Sequence, residues 1–230
     1  KTQTLFVSDA SSKTITRFSK AGELLEPFPD MQGKPFGAMA CTHEGGLVVG
    51  EHIKGDKFPF IGGGEIYTFD GSGKEVSHHA AEHDPGKFGF HGVTSLALSL
   101  DGDVVTYMSE TGQRVMRYDI VNDCQLEDAF SLSGDTVLAY MCQTADNRLV
   151  ISTVYGAALY SRSGDVLKEH DIPKERGWAA VSVSQCGQAF FIANFFTGRL
   201  EKRDIDTGDI LASSDTGLVY KLAAICEIPT

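Results

Sequence analysis

The sequence has no long apolar run and few basic residues. No stretch approaches the roughly 18 consecutive apolar residues of a membrane-spanning helix. Lys and Arg number 20 against 31 Asp and Glu, so the formal net charge is −11. Because phosphate backbones select basic surfaces, this balance argues against nucleic-acid binding and, more weakly, against anionic membranes. We expect a cytoplasmic monomer that binds neither nucleic acid nor membranes. Because the first residue is Lys1, a signal peptide removed before it stays an alternative.

Cysteine pairing patterns and common catalytic motifs are also missing. The five cysteines are an odd number and include no C-x-x-C pair. Cys41, Cys142 and Cys226 each end an apolar strand-like run, which predicts buried small side chains in a reducing compartment. No G-x-S-x-G, P-loop, H-E-x-x-H or dinucleotide fingerprint occurs. The sequence therefore gives no support for a serine nucleophile, a kinase, hydride transfer or a nucleotide cofactor.

What the sequence does contain is a repeated strand–turn–strand unit. YMSETGQRVMRYDI at 107–120 is similar to VSDASSKTITRFSK at 7–20 and to IANFFTGRLEKRDI at 192–205. Helical periodicity is nearly absent, and turn residues interrupt the strand pattern about every 8–12 residues. Repeats of about 40–50 residues with four strands each are typical of β-propeller blades.

The repeats predict an all-β, five-bladed β-propeller that occupies 1–230 as one domain. Blades of four strands are predicted at 34–80, 89–130, 135–172 and 177–215. The fifth blade combines 216–230 with 1–30, because LAAICEIPT joined to KTQTLFVSD copies GAMACTHEGGLVVGE. The C-terminal strand would then close the ring by pairing within the N-terminal blade. A six-bladed ring that lacks one blade is the alternative.

Polar residues recur at equivalent corners, directly after the second strand of each repeat. They are Asp9, Glu51, Glu110 (or its neighbour Ser109), Thr153 and Asn194. Five-fold quasi-symmetry would bring them toward one axis, where carboxylate, amide and hydroxyl oxygens suit Ca²⁺ or Mg²⁺. Asp and Asn side chains also cap turns, and turn chemistry is the alternative explanation of the pattern.

Two segments resemble known propeller families. KPFGAMACTHEGGLVVGEH resembles the Pro-x-Gly…Gly-Leu-Val-Val pattern of NHL-type and gluconolactonase/senescence-marker-type propellers. SETGQRVMRYD is similar to the Glu-Thr-x-x-Arg-(Ile/Val)-x-Arg-Tyr segment of strictosidine-synthase-like propellers. The resemblance implies a small-molecule site at the mouth of the propeller channel, and a divalent metal held by Glu51, Asn194 and Asp9 or Glu110. Those relatives have six blades, so five is a departure from the pattern.

Two long connections, 52–64 and 78–92, are predicted on the same face as the corners, and long loops on a rigid scaffold usually bind ligands. Most of the histidines lie in or beside them. His52 and His91, with Glu110, are the candidate acid/base groups. Zinc binding by His78, His79 and His83 is less favoured, because their spacing suits a helix and the context is a strand.

Aromatic residues near the inner strands and corners predict the wall of a small-molecule pocket. The candidate substrate-binding residues are Phe36, Phe58, Phe60, Tyr155, Trp178, Phe195 and Tyr220. Packing between blades is the alternative for many of them. The most concrete functional hypothesis is a divalent-metal-dependent lactone or ester hydrolase. Two different hypotheses stay open: a non-hydrolytic cyclase, synthase or lyase on the same scaffold, and a non-catalytic NHL-like module that binds a protein or a sugar.

Overall fold

The chain is built from β-strands and turns. A computed structural model describes residues 4–9, 12–28, 33–54, 64–84, 90–110, 112–132, 138–153, 156–173 and 175–227. The chain divides into two compact units, one of Lys1–Asp128 with Ile228–Thr230 and one of Ala129–Glu227. None of the described residues belongs to a helix long and apolar enough to cross a membrane.

The first unit contains a hairpin followed by two four-stranded antiparallel sheets. The hairpin is β1 (Thr4–Asp9) and β2 (Thr14–Ser19). The next sheet is β3 (Phe36–Cys41), β4 (Leu47–Lys54), β5 (Ile66–Phe69) and β6 (Glu75–His79), and β7 (Phe90–Gly92) pairs with the far end of β4. The last is β8 (Ser95–Leu98), β9 (Val104–Met108), β10 (Arg114–Asp119) and β11 (Cys124–Ser131).

The sheet β3–β6 is buried on both faces. On one face Phe69 packs edge-on against Phe28 and Phe36, with ring centroids 5.7 and 5.9 Å apart. On the other face Val48 and Ile66 join a cluster from β8–β11. Alternate strand residues point to opposite faces, so one strand can supply both clusters. Full burial of a large apolar side chain stabilises the fold by about 1.5–3 kcal/mol. Because both faces of this sheet carry such side chains, it is the centre of the first unit.

The second unit contains two more sheets of the same kind. One is β12 (Leu138–Gln143), β13 (Leu149–Thr153), β14 (Gly156–Tyr160) and β15 (Val166–His170). The other is β16 (Trp178–Val183), β17 (Ala189–Asn194), β18 (Arg199–Asp204) and β19 (Ile210–Asp215). Val150 and Leu159 of the first pack with Trp178, Phe190 and Ile192 of the second in one buried cluster.

The predicted propeller architecture is confirmed, but the number of blades is wrong. Over the described residues the chain forms four blades of four strands, not five. At the N-terminus only β1 and β2 form, and the segment after them makes a single isolated bridge, Phe18 to Leu24. Pro27 has no N–H to donate and interrupts the predicted strand there.

The predicted closing strand is absent from the described tail. Residues 216–227 contain turns and irregular backbone, and the last three residues lie outside the described ranges. Side chains hold the tail on the last sheet instead: the Glu227 carboxylate accepts a hydrogen bond from Gln185 N at 2.7 Å, and Lys202 Nζ lies 3.4 Å from it. An apolar sequence such as LAAIC resembles a strand, but here it does not pair as one.

Buried His170 in β15 gives the second unit an acid-sensitive site. The residue is 6% exposed, and neither ring nitrogen has a hydrogen-bond partner among the described residues. Burial lowers its pKa to about 4, helped by the charges of Arg203 and Lys168 and opposed by Asp204. Since the pKa in the unfolded chain is near 6.5, the unfolded state binds more protons, and stability falls as pH drops from about 6.5 to 4.

We expect His170→Phe to remove this loss. Urea unfolding at pH 7 and pH 5 should show the wild type losing up to about 1.4 kcal/mol per pH unit more than the variant. A variant whose stability falls with pH as steeply as that of the wild type would contradict the assignment.

Candidate acid/base site in the first unit

Hydrogen bonds and close contacts of small residues connect the ends of neighbouring strands in the first unit. Ser8 Oγ donates to Gly37 O at 2.7 Å, and Ser109 Oγ donates to Gly92 O at 2.7 Å. Between them, His52 pairs with Gly92 in the β4–β7 ladder, and its side chain covers Gly37. We call Ser8, Gly37, His52, Gly92 and Ser109 the strand-end row.

Three of the predicted corner residues adjoin the strand-end row. Asp9 follows Ser8, Glu51 precedes His52, and Glu110 follows Ser109. Glu51, His52 and Glu110 are all half-buried. The first unit therefore places carboxylates and an imidazole at the same end of neighbouring sheets, as expected if the corners are equivalent positions of a repeat.

Glycine is required at two positions of the strand-end row. A Cβ added to Gly37 would lie 2.1 Å from His52 Nδ1. One added to Gly92 would lie 2.5 Å from the backbone oxygen of Glu51, and Gly92 also has φ near +88°. The close backbone approach and the positive φ explain why side-chain-free residues stand here.

A second charged group lies beside the same strand ends. Lys34 Nζ is 3.2 Å from Glu65 Oε2 and 4.0 Å from the centroid of the Tyr67 ring. The Tyr67 hydroxyl donates to the same carboxylate oxygen. Backbone bonds tie the pair to the row, because Glu51 N donates to Glu65 O at 2.9 Å and His52 N to Pro35 O at 2.7 Å.

The segment SETGQRVMRYD anchors the turn that follows Glu110. Asp84 Oδ2 accepts hydrogen bonds from Gln113 N at 2.6 Å and Arg114 N at 3.1 Å. The Arg114 guanidinium binds both Asp128 oxygens, at 2.7 and 2.9 Å, and reaches Glu82 at 3.0 Å. These hydrogen bonds raise the pKa of Arg114 further. Arg114 thus links the segment 82–84 to β11, and these contacts position the turn.

The predicted metal ligands do not form a cation site in the described residues. No group of three or more His, Cys, Asp or Glu side chains there is arranged to hold a metal ion. The Asp9 carboxylate accepts bonds from Ser12 N at 3.3 Å and Ser12 Oγ at 2.8 Å, as in a capped turn. Within the described ranges the predicted ligands are therefore not arranged to hold Ca²⁺ or Mg²⁺, and turn capping accounts for Asp9.

Asn194, the last residue of β17 in the second unit, also caps a turn. Its side chain is fully buried, and its Oδ1 accepts from Phe196 N at 2.9 Å and Thr197 N at 3.1 Å. Its Nδ2 donates to Arg176 O at 3.1 Å. At the neighbouring corner, Thr153 Oγ1 donates to Gly156 O at 3.4 Å. These contacts use the polar groups locally, as the turn-capping explanation requires.

Apart from Ser109, sequence reasoning missed the residue immediately before each corner. In the second unit, Ser152 Oγ donates to Ala179 O of the next sheet at 2.7 Å, as Ser8 does in the first unit. Gly50 lies against Val93 in the same way, since an added Cβ would meet Val93 Cγ1 at 2.3 Å. The signal was present in the sequence as a small residue before every corner. It marks the contact between sheets.

The predicted aromatic wall is only partly at the surface. Phe36 and Trp178 are core side chains, 3% and 0% exposed, and Trp178 Nε1 donates to Pro173 O at 2.9 Å. This burial fits packing, the alternative explanation for these two residues. Phe195 and Tyr220 do meet, with ring centroids 6.2 Å apart, and both contact Phe196. Phe58, Phe60, Tyr155 and the side chain of His91 lie outside the described part of the chain.

Two further predictions about cysteine and histidine need correction. All five cysteines are unpaired, but Cys41 and Cys226 are exposed residues rather than core residues. Only Cys142 has a fully desolvated thiol, and burial raises its pKa. His79 is not a loop residue: it belongs to β6 and is 4% exposed.

Known structures share the β-propeller fold. A streptogramin B lyase gives a TM-score of 0.63 at 12% identity, covering 92% of this chain and 65% of that one. A virginiamycin B lyase from Staphylococcus aureus gives 0.63 at 13% identity, covering 98% and 72%. The computationally designed Ika8 protein gives 0.57 at 18% identity, covering 97% and 62%. This chain thus spans 65% and 72% of the two lyase chains.

No protein-family model matches the sequence, and no curated protein matches it. At these identities the structural similarity establishes the fold alone. The sequence resemblance to NHL-type and gluconolactonase-type propellers is therefore confirmed as far as the propeller fold.

Proposed function

We propose that the chain is a lyase-type small-molecule enzyme whose acid/base groups are Glu51, His52 and Glu110. The observation that carries the proposal is that these half-buried residues belong to the strand-end row or directly adjoin it, at one end of neighbouring sheets. Two solved structures that share the fold at a TM-score of 0.63 are lyases, and we therefore propose a lyase as the reaction to test before a hydrolase, a cyclase or a synthase. Because the chain spans only part of those proteins, their activity is a proposal for this one.

An elimination needs two proton transfers and no added water. A base removes a proton beside an electron-withdrawing group, and an acid gives a proton to the leaving group. A carboxylate from Glu51 or Glu110 suits the first step, and the His52 imidazole, a side chain of the type that most often serves as acid or base, suits the second. Lys34, held by Glu65 beside the row, offers a positive charge to an anionic portion of a substrate.

The metal-dependent hydrolase has less support than the lyase. Its predicted ligands Asp9 and Asn194 are engaged in turns, and the described residues contain no suitable metal-binding group. Product mass separates the two reactions, because hydrolysis adds one water to the products and elimination adds none. Assays with and without EDTA report any requirement for a divalent cation.

The test is cleavage of virginiamycin B and related streptogramin B compounds, followed by mass spectrometry. We expect products whose summed mass equals that of the substrate. Glu51→Gln, His52→Asn and Glu110→Gln should each lower kcat/KM by about 100-fold or more, the usual loss for a general acid or base. Glu44→Gln is the matched control, because Glu44 is exposed in the turn between β3 and β4.

Two results would overturn this proposal. One is cleavage that persists unchanged in all three variants, and the other is a product that carries added water. Binding without any cleavage would instead favour a non-catalytic module. The second unit offers a surface for such binding, since Phe196 and Tyr220 are 39% and 66% exposed and their rings lie 5.5 Å apart.

A further inference from the structure

A serine, a histidine and an aspartate lie in hydrogen-bonded order away from the strand-end row. Ser77 Oγ is 2.9 Å from His79 Nε2, and His79 Nδ1 is 2.7 Å from Asp123 Oδ1. Ser77 and His79 occupy one face of β6, two residues apart, and Asp123 lies in the turn between β10 and β11. Nothing in the lyase proposal uses these residues.

Hydrogen bonds and ring packing fix the position of the His79 side chain. Its ring is 4% exposed and packs against Tyr118, with ring centroids 5.4 Å apart. The Tyr118 hydroxyl donates to Asp123 Oδ1 at 2.8 Å. Hydrogen bonds from His79 and Tyr118 lower the pKa of Asp123, so its carboxylate is ionised at neutral pH. A carboxylate bound to Nδ1 directs the basic Nε2 toward the serine.

A hydroxyl beside the serine has no partner of its own. Thr68 lies directly opposite Ser77 in the β5–β6 ladder, and cross-strand partners share a face of the sheet. Its Oγ1 is buried without a hydrogen-bond partner among the described residues. Burial of a hydroxyl without a hydrogen bond lowers the stability of the fold. The unused O–H donor of Thr68 lies beside the Ser77 side chain. This observation is independent of the Ser–His–Asp contacts. It suggests that the Thr68 hydroxyl donates a hydrogen bond to an oxygen atom of a bound ligand.

We propose that Ser77, His79 and Asp123 form a second site, a serine-nucleophile site that hydrolyses small carboxylic esters. Ser77 Oγ attacks the ester carbonyl carbon, and its proton passes to His79 Nε2. The carbonyl oxygen becomes an oxyanion that accepts a hydrogen bond from Thr68 Oγ1. The C–O bond of the ester breaks, and the leaving alcohol takes the proton from His79. Water then attacks the acyl-serine with His79 as base, which releases the acid and restores Ser77.

Ser77 is half-buried, so the site takes small acyl groups rather than long chains. Asp123 is a positioning residue, because it acts through His79. The site escaped the sequence analysis for a physical reason: its serine is on a strand instead of a G-x-S-x-G elbow, and its aspartate is 44 residues from the histidine.

The test is labelling of the 230-residue protein by a fluorophosphonate, with the modified peptide identified by mass spectrometry, and hydrolysis of p-nitrophenyl acetate. We expect the label on Ser77. Ser77→Ala should abolish labelling, and His79→Gln should slow it by about 100-fold. Asp123→Asn should slow it by about 10-fold or more. Ser72→Ala is the control, because Ser72 is an exposed serine of the β5–β6 turn, bonded to Asp70 at 2.6 Å.

Thr68→Val separates catalysis from a structural role. Since the Thr68 hydroxyl has no partner among the described residues, its removal should leave the urea midpoint unchanged or slightly raised. It should nevertheless slow labelling of Ser77 by about 10-fold or more, as loss of an oxyanion donor does. The proposal is overturned if Ser77 of the wild type is not labelled, or if Thr68→Val and His79→Gln label at the wild-type rate. His79→Gln could unfold the sheet, whereas Thr68→Val should not.

Discussion

Replacement of Glu201 by Leu is expected to lower the free energy of unfolding by about 3–5 kcal/mol. Glu201 is 0% exposed in β18, and its Oε2 lies 2.7 Å from Arg203 Nε and 2.6 Å from Arg203 Nη2. Arg203 is itself buried, and its Nη1 donates to the neutral backbone oxygen of Gly208 at 3.1 Å. Removal of the carboxylate therefore leaves a buried guanidinium without its counter-charge.

Two further variants show whether the unpaired charge is the cause. Glu201→Leu with Arg203→Met removes both charges and should recover most of the lost stability, because apolar side chains of similar size replace the pair. Arg199 Nη2 also lies 2.6 Å from Glu201, but its side chain is 42% exposed, so Arg199→Met should cost about 1 kcal/mol or less. Urea unfolding measures all three. Equal losses in the single and double variants would contradict this explanation.

The strands of the blades were predictable because their residues obey local rules. Period-two alternation and a turn every few residues identify each four-stranded sheet from sequence alone. The fifth blade required an interaction between chain ends, for which LAAIC offered only an apolar pattern. The structure shows that Glu227, the residue after this segment, accepts a hydrogen bond from Gln185 N in a turn, and no strand pattern reports such a side-chain contact.

The candidate sites differ in the same way. Glu51 and Glu110 could be found because the repeat places each near the end of a second strand, although Glu51 lies inside β4 and Glu110 comes two residues after β9. Asp9 and Asn194 obey the same rule but cap turns, and the sequence pattern cannot separate those roles. The contact of His79 with Asp123 joins two sheets, and only their packing brings it about.

Gly92→Ala is expected to disturb both stability and the acid/base site, with a loss of about 3 kcal/mol or more. An Ala at positive φ costs about 1–2 kcal/mol, and its Cβ would lie 2.5 Å from the Glu51 backbone oxygen, next to His52.

Gly102→Ala is the matched control, because Gly102 has φ near +86° with nothing within 4 Å of an added Cβ. The difference between the two variants in urea unfolding isolates the overlap from the φ strain. Since Gly92 also accepts the Ser109 hydrogen bond, Gly92→Ala should displace the neighbours of Glu110 and His52 and reduce the proposed lyase activity, whereas Gly102→Ala should not. Equal stability losses in the two variants would show that the sheet ends can move apart, and that the strand-end row does not fix these groups.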